Sequence, residues 1–252
     1  MTDATARGGS ERLDQRLVSL GLVETRARAQ ALIKAGVVRV DGAPARKPSA
    51  SPPPDARIEL VADPCPWVSR AALKLLHALE RFELSPEGAE TLDVGASTGG
   101  FTEVCLARGA ARVAALDVGR DQLHPTLRAD PRVIDLSPLN ARALTADRLP
   151  APPDLIVSDV SFISLVKALP APLSLAAPEA RLIALVKPQF EVGPERVGKG
   201  GLVKDPGDRR SAVDQVARFL ERSGWVVLGE TESPIAGGGG AREHLIAARR
   251  RT

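Results

Sequence analysis

At 252 residues, 44% hydrophobic and 26% charged, the chain has the composition of an ordinary soluble globular protein, with room for one large domain or a small one plus a medium one. Aromatic content of 3% with no tyrosine excludes extensive base stacking as a binding strategy, and no apolar run approaches the length of a membrane span. The net charge of +3 is unevenly spread: residues 1–60 carry ten Lys/Arg against seven Asp/Glu, so the whole excess sits there. From Arg26 to Lys47, six basic residues (Arg26, Arg28, Lys34, Arg39, Arg46, Lys47) face Asp41 alone, a segment that suits a polyanion or a merely solvated face.

In chain order, the amino terminus has no apolar signal core, and a first short helix is expected at about Arg12 to Leu20, closed by Gly21. A second begins at Thr25, a good N-cap, with Ala29, Leu32 and Ile33 on one face. Val37 to Val40 reads as a strand and Asp41-Gly42 as a hairpin turn. The proline-rich stretch near Ala50 to Pro66, around a short strand at Arg57 to Val61, marks a break. Beyond it, a helix from Ser69 to Phe82 shows the stripe Ala72, Leu75, Leu79 and Phe82, and strands follow at about 91–94, 112–116, 132–135, 154–158, 181–186, 225–230 and 244–248. That alternation predicts an α/β fold with a doubly wound, seven-stranded sheet. Cys65 and Cys105 form no CxxC pair, which points to a reducing cytoplasm, and His77, His124 and His244 lack metal-ligand spacing, so no metal is expected.

The richest local pattern is Thr91-Leu92-Asp93-Val94-Gly95-Ala96-Ser97-Thr98-Gly99-Gly100-Phe101, a strand running through a glycine turn into a helix. Ligands of open α/β sheets bind at such carboxyl-end crevices, and Gly95 and Gly99 permit close backbone approach. A dinucleotide site wants GxGxxG, whereas here Ser97 replaces the second glycine and Asp93 would repel a phosphate. S-adenosyl-L-methionine carries no phosphate and has a cationic amino-acid end, which Asp93 suits. Asp117 closes the next strand, where it can accept from ribose hydroxyls of either cofactor, and Asn140 follows the third strand, in reach of an adenine edge or simply in a loop. The cofactor set is therefore Asp93, Gly95, Ser97, Gly99, Gly100, Asp117 and Asn140.

Asp159 ends the fourth strand and Lys187 the fifth, so both project at the edge that carries the glycine loop. Glu243 stands at the start of the last strand, and that start reaches the same edge if the strand runs antiparallel. Lys74 lies off the apolar stripe of its helix, aligned with Arg70, His77 and Arg81, as a solvated lysine would. Together the four have a joint chemistry: Lys187 takes the proton of a weakly acidic ribose hydroxyl or, charged, stabilises the forming alkoxide, Asp159 orients Lys187 and the hydroxyl, and Glu243 and Lys74 balance charge and fix the nucleotide.

These residues fall in segments that resemble the FtsJ-like ribose methyltransferases with their Lys-Asp-Lys-Glu tetrad: Trp67-Val68-Ser69-Arg70 with Lys74-Leu75, DVGASTGGFTEV (93–104), SDVSFISL (158–165) and LVKPQFEVG (185–193). The whole chain resembles the TlyA family, its front reading RLD…TRARAQALIKAGVVRVDG like the S-four-like RNA-binding domain of ribosomal proteins. The resemblance implies a Rossmann-like methyltransferase sheet preceded by a small α+β RNA-binding domain. Its implied divisions are 1–62 for that domain, 63–68 for a linker and 69–252 for the catalytic domain. It also implies 2′-O-methylation of cytidine in ribosomal RNA, S-adenosyl-L-methionine as cofactor, and Lys74, Asp159, Lys187 and Glu243 as the tetrad. Ribosomal RNA or ribosomal subunits are the implied partners, contacted through Arg12, Arg26, Arg28, Lys34, Arg39 and Lys47. A cytoplasmic, membrane-free monomer is expected. The last motif departs from the family pattern, reading Gly240-Ala241-Arg242-Glu243-His244 where Gly-Asn-x-Glu-aromatic is usual. Two other readings stand beside this one: a non-catalytic ribosome-binding or assembly factor that keeps the fold, and a haemolysin, a label that the family carries.

Overall fold

The computed structural model describes residues 11–23, 25–61 and 66–251, so Cys65 and the first half of the expected linker lie outside it. The chain divides into two units, which part between Pro66 and Trp67.

In the first unit, helix α1 (Leu13–Ser19) packs on α2 (Arg26–Ala35), and a small antiparallel sheet is formed by β1 (Val38–Val40), β2 (Ala43–Pro44) and β3 (Ile58–Leu60) in the order β2-β1-β3. Thr25 accepts a hydrogen bond from Arg28 N and caps α2, while Asp41 and Gly42 both take positive φ and turn the hairpin. Leu13, Leu17, Ala29, Leu32, Ile33 and Val38 form its core. The break expected from about Ala50 begins later. Leu13 N donates to Ala50 O (2.6 Å), Asp14 N donates to Pro48 O (3.1 Å), and the Arg16 guanidinium donates to the carbonyls of Pro53, Pro54 and Ala56, so the proline run is stapled to α1.

The second unit contains α3 (Ala71–Arg81), β4 (Glu90–Val94), α4 (Gly100–Ala107), β5 (Arg112–Leu116), α5 (Pro125–Arg128), β6 (Val133–Asp135), β7 (Leu155–Ser158), α6 (Leu165–Ala168), α7 (Pro170–Ser174), β8 (Arg181–Val186), α8 (Pro188–Glu191), α9 (Pro206–Arg222), β9 (Trp225–Glu232) and β10 (His244–Arg250). Its seven-stranded sheet runs β6-β5-β4-β7-β8-β10-β9, parallel except for β10, which is antiparallel to both neighbours. The strands β5, β7 and β8 are near-continuous apolar runs because both faces are covered. On one face Leu92, Ile156, Leu182 and Ile246 pack with Val216, Leu220 and Trp225. On the other, Val113, Leu155, Val157, Ile183 and Leu245 pack with Leu75, Phe101 and Val104. The chain reverses strand order between β4 and β7, and the crevice at their carboxyl ends is where such sheets hold ligands. Among the described residues, no helix is long and apolar enough to cross a membrane.

Candidate active site at the carboxyl edge of the sheet

The loop after β4 is shaped by the protein before any ligand is considered. Gly95 has φ 89°, and a Cβ there would lie 3.0 Å from the Asp159 backbone, so glycine lets the β4 and β7 loops meet. Gly99 has φ 98°, and a Cβ there would overlap Leu127 Cδ1. Both glycines thus answer to neighbouring chain, where the sequence suggested ligand approach. Gly100 opens α4, with Ser69 against it. Ser97 takes φ 49°, and its N–H donates to Asp117 Oδ2 (2.9 Å) while Gly119 N donates to Asp117 Oδ1 (2.8 Å). Asp117 is held by backbone amides at the lip of a cavity of about 510 Å³, whose walls include Gly95, Ser97, Val118, Asn140, Asp159 and Phe162. Asn140 also caps the following turn, accepting from Arg142 N (3.0 Å).

Asp93 lies beneath this cavity, fully buried, and not in its wall. Thr102 Oγ1 donates to Asp93 Oδ2 (2.7 Å), whereas Oδ1 has no hydrogen-bond partner. Burial pushes its carboxyl up to about 7, against the lowering effect of the Thr102 hydroxyl.

Three strand ends converge beside the loop. Ser158 pairs with Ala184 between β7 and β8, and His244 pairs with Val186 between β10 and β8. One residue beyond those ladders stand Asp159, Lys187 and Glu243, so antiparallel β10 delivers the start of its strand where β7 and β8 deliver their ends. Lys187 Nζ lies 2.6 Å from Asp159 Oδ1 and donates to Ser161 Oγ (2.6 Å). Lys74 Nζ donates to Glu243 Oε2 at 2.5 Å, across 169 residues of chain. Lys74, Lys187 and Glu243 are 7%, 8% and 3% exposed. Lys74 therefore corrects the solvated reading that its helix position invited: it leaves the apolar stripe of α3 yet is covered by β10. A second cavity, of about 160 Å³, is lined by Lys187, Asp159, Ser161, Ser69 and Gly100, and shares Gly95 and Ser97 with the first.

Several contributors escaped the sequence reading. Ser161 fixes Lys187, and Glu191 fixes the loop that carries Ser161 by accepting from Ser164 Oγ (2.6 Å) and Leu165 N (2.8 Å). Burial pushes the Glu191 carboxyl up. Both lie inside the segments SDVSFISL and LVKPQFEVG, where a lone polar residue among apolar neighbours carries no spacing signal of its own. His244 points away from Glu243 toward Arg209, Arg210 and Glu230, and burial pushes its imidazole pKa down.

In the first unit, Lys34, Arg39 and Lys47 are exposed, while Arg12 and Arg26 both bind the buried carboxylate of Asp14.

Residues 67–250 match the FtsJ-like methyltransferase family, and residues 11–58 match the S4 domain. The chain is 48% identical over 242 residues to the 16S/23S rRNA (cytidine-2′-O)-methyltransferase TlyA of Mycobacterium tuberculosis, covering 96% of this chain and 90% of that one. It is 38% identical over 235 residues to Hemolysin A of Brachyspira hyodysenteriae, covering 93% and 98%. A solved structure from Streptococcus thermophilus that bears the name hemolysin superimposes with a TM-score of 0.78 at 38% identity, over 96% of this chain and 88% of that one.

Proposed function

The chain belongs to the TlyA family of FtsJ-like methyltransferases, and from that membership we propose that it transfers a methyl group from S-adenosyl-L-methionine to the 2′-hydroxyl of a cytidine in ribosomal RNA. The observation that carries the reading is the meeting of Asp159, Lys187 and Glu243 at one sheet edge, with Lys74 closing on Glu243, beside a cavity rimmed by Asp117. The working division is residues 1–62 for RNA, 63–68 as linker and 69–252 for the transfer, in a cytoplasmic protein that acts on RNA or ribosomal subunits.

The residues at the cavity fit that cofactor. Asp117 offers carboxylate oxygens at the lip, Asn140 and Val118 line the same cavity, and the buried Asp93 keeps an unpartnered Oδ1, an acceptor where a phosphate site would want donors. When bound, S-adenosyl-L-methionine supplies an electrophilic methyl group. Asp117, Asn140 and the Gly95–Ser97 turn hold the nucleoside part, and Asp93 acts through Thr102 to keep the loop in shape.

Lys187 is placed to work on the ribose hydroxyl. Asp159 and Ser161 fix its Nζ from two sides, so it meets the hydroxyl oxygen without first ordering a flexible side chain. As that oxygen gains charge, the Lys187 ammonium stabilises it and hands a proton to the Asp159 carboxylate as it takes up the one leaving the hydroxyl. The pair thus stays singly charged at Lys187, and the proton ends on Asp159. The Lys74–Glu243 pair is neutral overall, so it braces the strand end without offsetting the field at Lys187. No covalent intermediate on the protein is needed.

The test is methyl transfer to ribosomal RNA followed by mapping of the modified nucleotide. The native chain is expected to give a 2′-O-methylcytidine. Lys187→Ala is expected to lose at least about 10²-fold in rate while still binding S-adenosyl-L-methionine, the usual scale for loss of a positioned proton-transfer group. A base-methylated product, or full activity in Lys187→Ala, overturns the mechanism.

A further inference from the structure

Asp14 is an acidic residue with no exposed surface, set in a helix whose other buried residues, Leu13 and Leu17, are apolar. It is fully satisfied. Arg12, just before α1, donates Nε to Oδ1 (3.0 Å) and Nη2 to Oδ2 (3.1 Å). Arg26, the first residue of α2, donates Nε to the same Oδ2 (3.0 Å), and Gln30, one turn later, donates Nε2 to it (2.8 Å). The Arg12 guanidinium first, then Gln30 and Arg26, hold the carboxyl well below the usual carboxylate range.

Burying a charge under its partners is a poor way to stabilise a small core. Apolar residues of similar volume often do as well or better. What the arrangement does provide is orientation. Arg12 and Arg26 come from the starts of two different helices, yet sharing one carboxylate oxygen keeps their inner nitrogens within two hydrogen-bond lengths of each other. Their side chains nonetheless keep 39% and 51% of their surface exposed. Two long side chains that would each lose rotamer freedom on binding are ordered beforehand. With one negative charge beneath two positive ones, the cluster keeps a net positive charge toward solvent.

We propose that Asp14 is a positioning residue for RNA, locking Arg12 and Arg26 into a two-guanidinium clamp for a backbone phosphate. This rests on the reading that the first unit binds RNA. Bidentate guanidinium geometry suits phosphate oxygens, and a preordered fork gains affinity by avoiding the ordering cost.

The proposal makes a prediction of sign opposite to simple electrostatics. Asp14→Asn adds a positive charge, which by charge alone tightens binding to RNA, whereas loss of positioning weakens it. The measurement is fluorescence anisotropy of the full chain with a labelled ribosomal RNA hairpin over a salt series. The comparison set is Asp14→Asn, Arg12→Gln/Arg26→Gln, the triple variant, and the charge-keeping Arg12→Lys/Arg26→Lys. Expected are a loss of about tenfold in Asp14→Asn and a salt slope shallower by about 0.7–0.9 for each phosphate that is no longer neutralised. The triple variant should bind no worse than Arg12→Gln/Arg26→Gln. Arg12→Lys/Arg26→Lys should weaken binding although no charge changes, and this arm decides the matter if Asp14→Asn does not fold.

Unchanged or tighter binding by Asp14→Asn, with a clear loss in Arg12→Gln/Arg26→Gln, overturns the positioning role alone. A further loss in the triple variant equal to that of Asp14→Asn makes Asp14 merely structural and overturns it as well. Unchanged binding in every variant overturns the RNA reading of these arginines together with the proposal.

Discussion

Lys74 and Glu243 illustrate how much a single buried pair depends on both members. Each is almost without solvent, and each is the other's hydrogen-bonded counter-ion at 2.5 Å. Lys74→Met leaves the Glu243 charge buried and alone, at an expected cost of about 3–5 kcal/mol in denaturant unfolding. Lys74→Met/Glu243→Leu removes both charges and is expected to recover much of that loss without recovering activity. A double variant as unstable as the sum of its singles contradicts the pairing. Asp93 offers a second check, through pH. Its carboxyl is pushed up to about 7 in the fold, and in the unfolded chain it titrates at about 4. Between those values the folded chain keeps a proton that the unfolded chain releases, so this group's contribution is greatest in acid and declines as pH rises toward about 7. Asp93→Asn cannot ionise. Its stability relative to the parent, from cofactor-free thermal melts, is expected to rise between about pH 4 and 7 by up to a few kcal/mol and to level off above that. A difference independent of pH refutes the raised carboxyl.

The elements that carry the site are ordinary, and their joints are not. The loop between β4 and α4 turns on Gly99, where positive φ and the absence of a Cβ are both required. Gly99→Ala is expected to destabilise the chain by at least about 1–3 kcal/mol and to abolish S-adenosyl-L-methionine binding in a calorimetric titration. Normal affinity would show that Leu127 simply moves aside. Much at this scale was legible in the sequence. The strands β7 and β8 are apolar runs followed at once by a charge, and Asp159 and Lys187 could be set at one edge because parallel strands share an end. Lys74 was not legible as a buried residue, since nothing on α3 itself covers it: the cover is β10, far along the chain. Asp14 was hidden for a related reason, because beyond the neighbouring Arg12 its partners Arg26 and Gln30 come from a second helix and its polarity suits an exposed turn. Ser161 and Glu191 were passed over because short polar residues beside Phe162 and Phe190 give no periodic signal.

At the scale of the whole molecule, the two units have separate cores, one built on Leu13, Leu17, Leu32 and Ile33 and the other on the large sheet. Ile33→Ala is expected to cost the first unit about 2–5 kcal/mol. Both tryptophans, Trp67 and Trp225, belong to the second unit and the chain has no tyrosine, so tryptophan emission follows that unit alone. Ile33→Ala should weaken RNA binding on warming while the emission midpoint stays put, and a matched fall in both would show that the units unfold as one.

The antiparallel strand β10 has one more consequence. It is the final strand along this chain, yet it is inserted between β8 and β9 and is not added at a margin. β10 pairs with both of those neighbours, and Glu243, which meets Lys74, stands immediately before it. Without β10 the frame of the glycine loop and of the Asp159–Lys187 pair remains, but not the anchor that sets Glu243 against Lys74. Loss of this one strand therefore opens the sheet between β8 and β9 and dismantles one ion pair of the site, while the other keeps its frame.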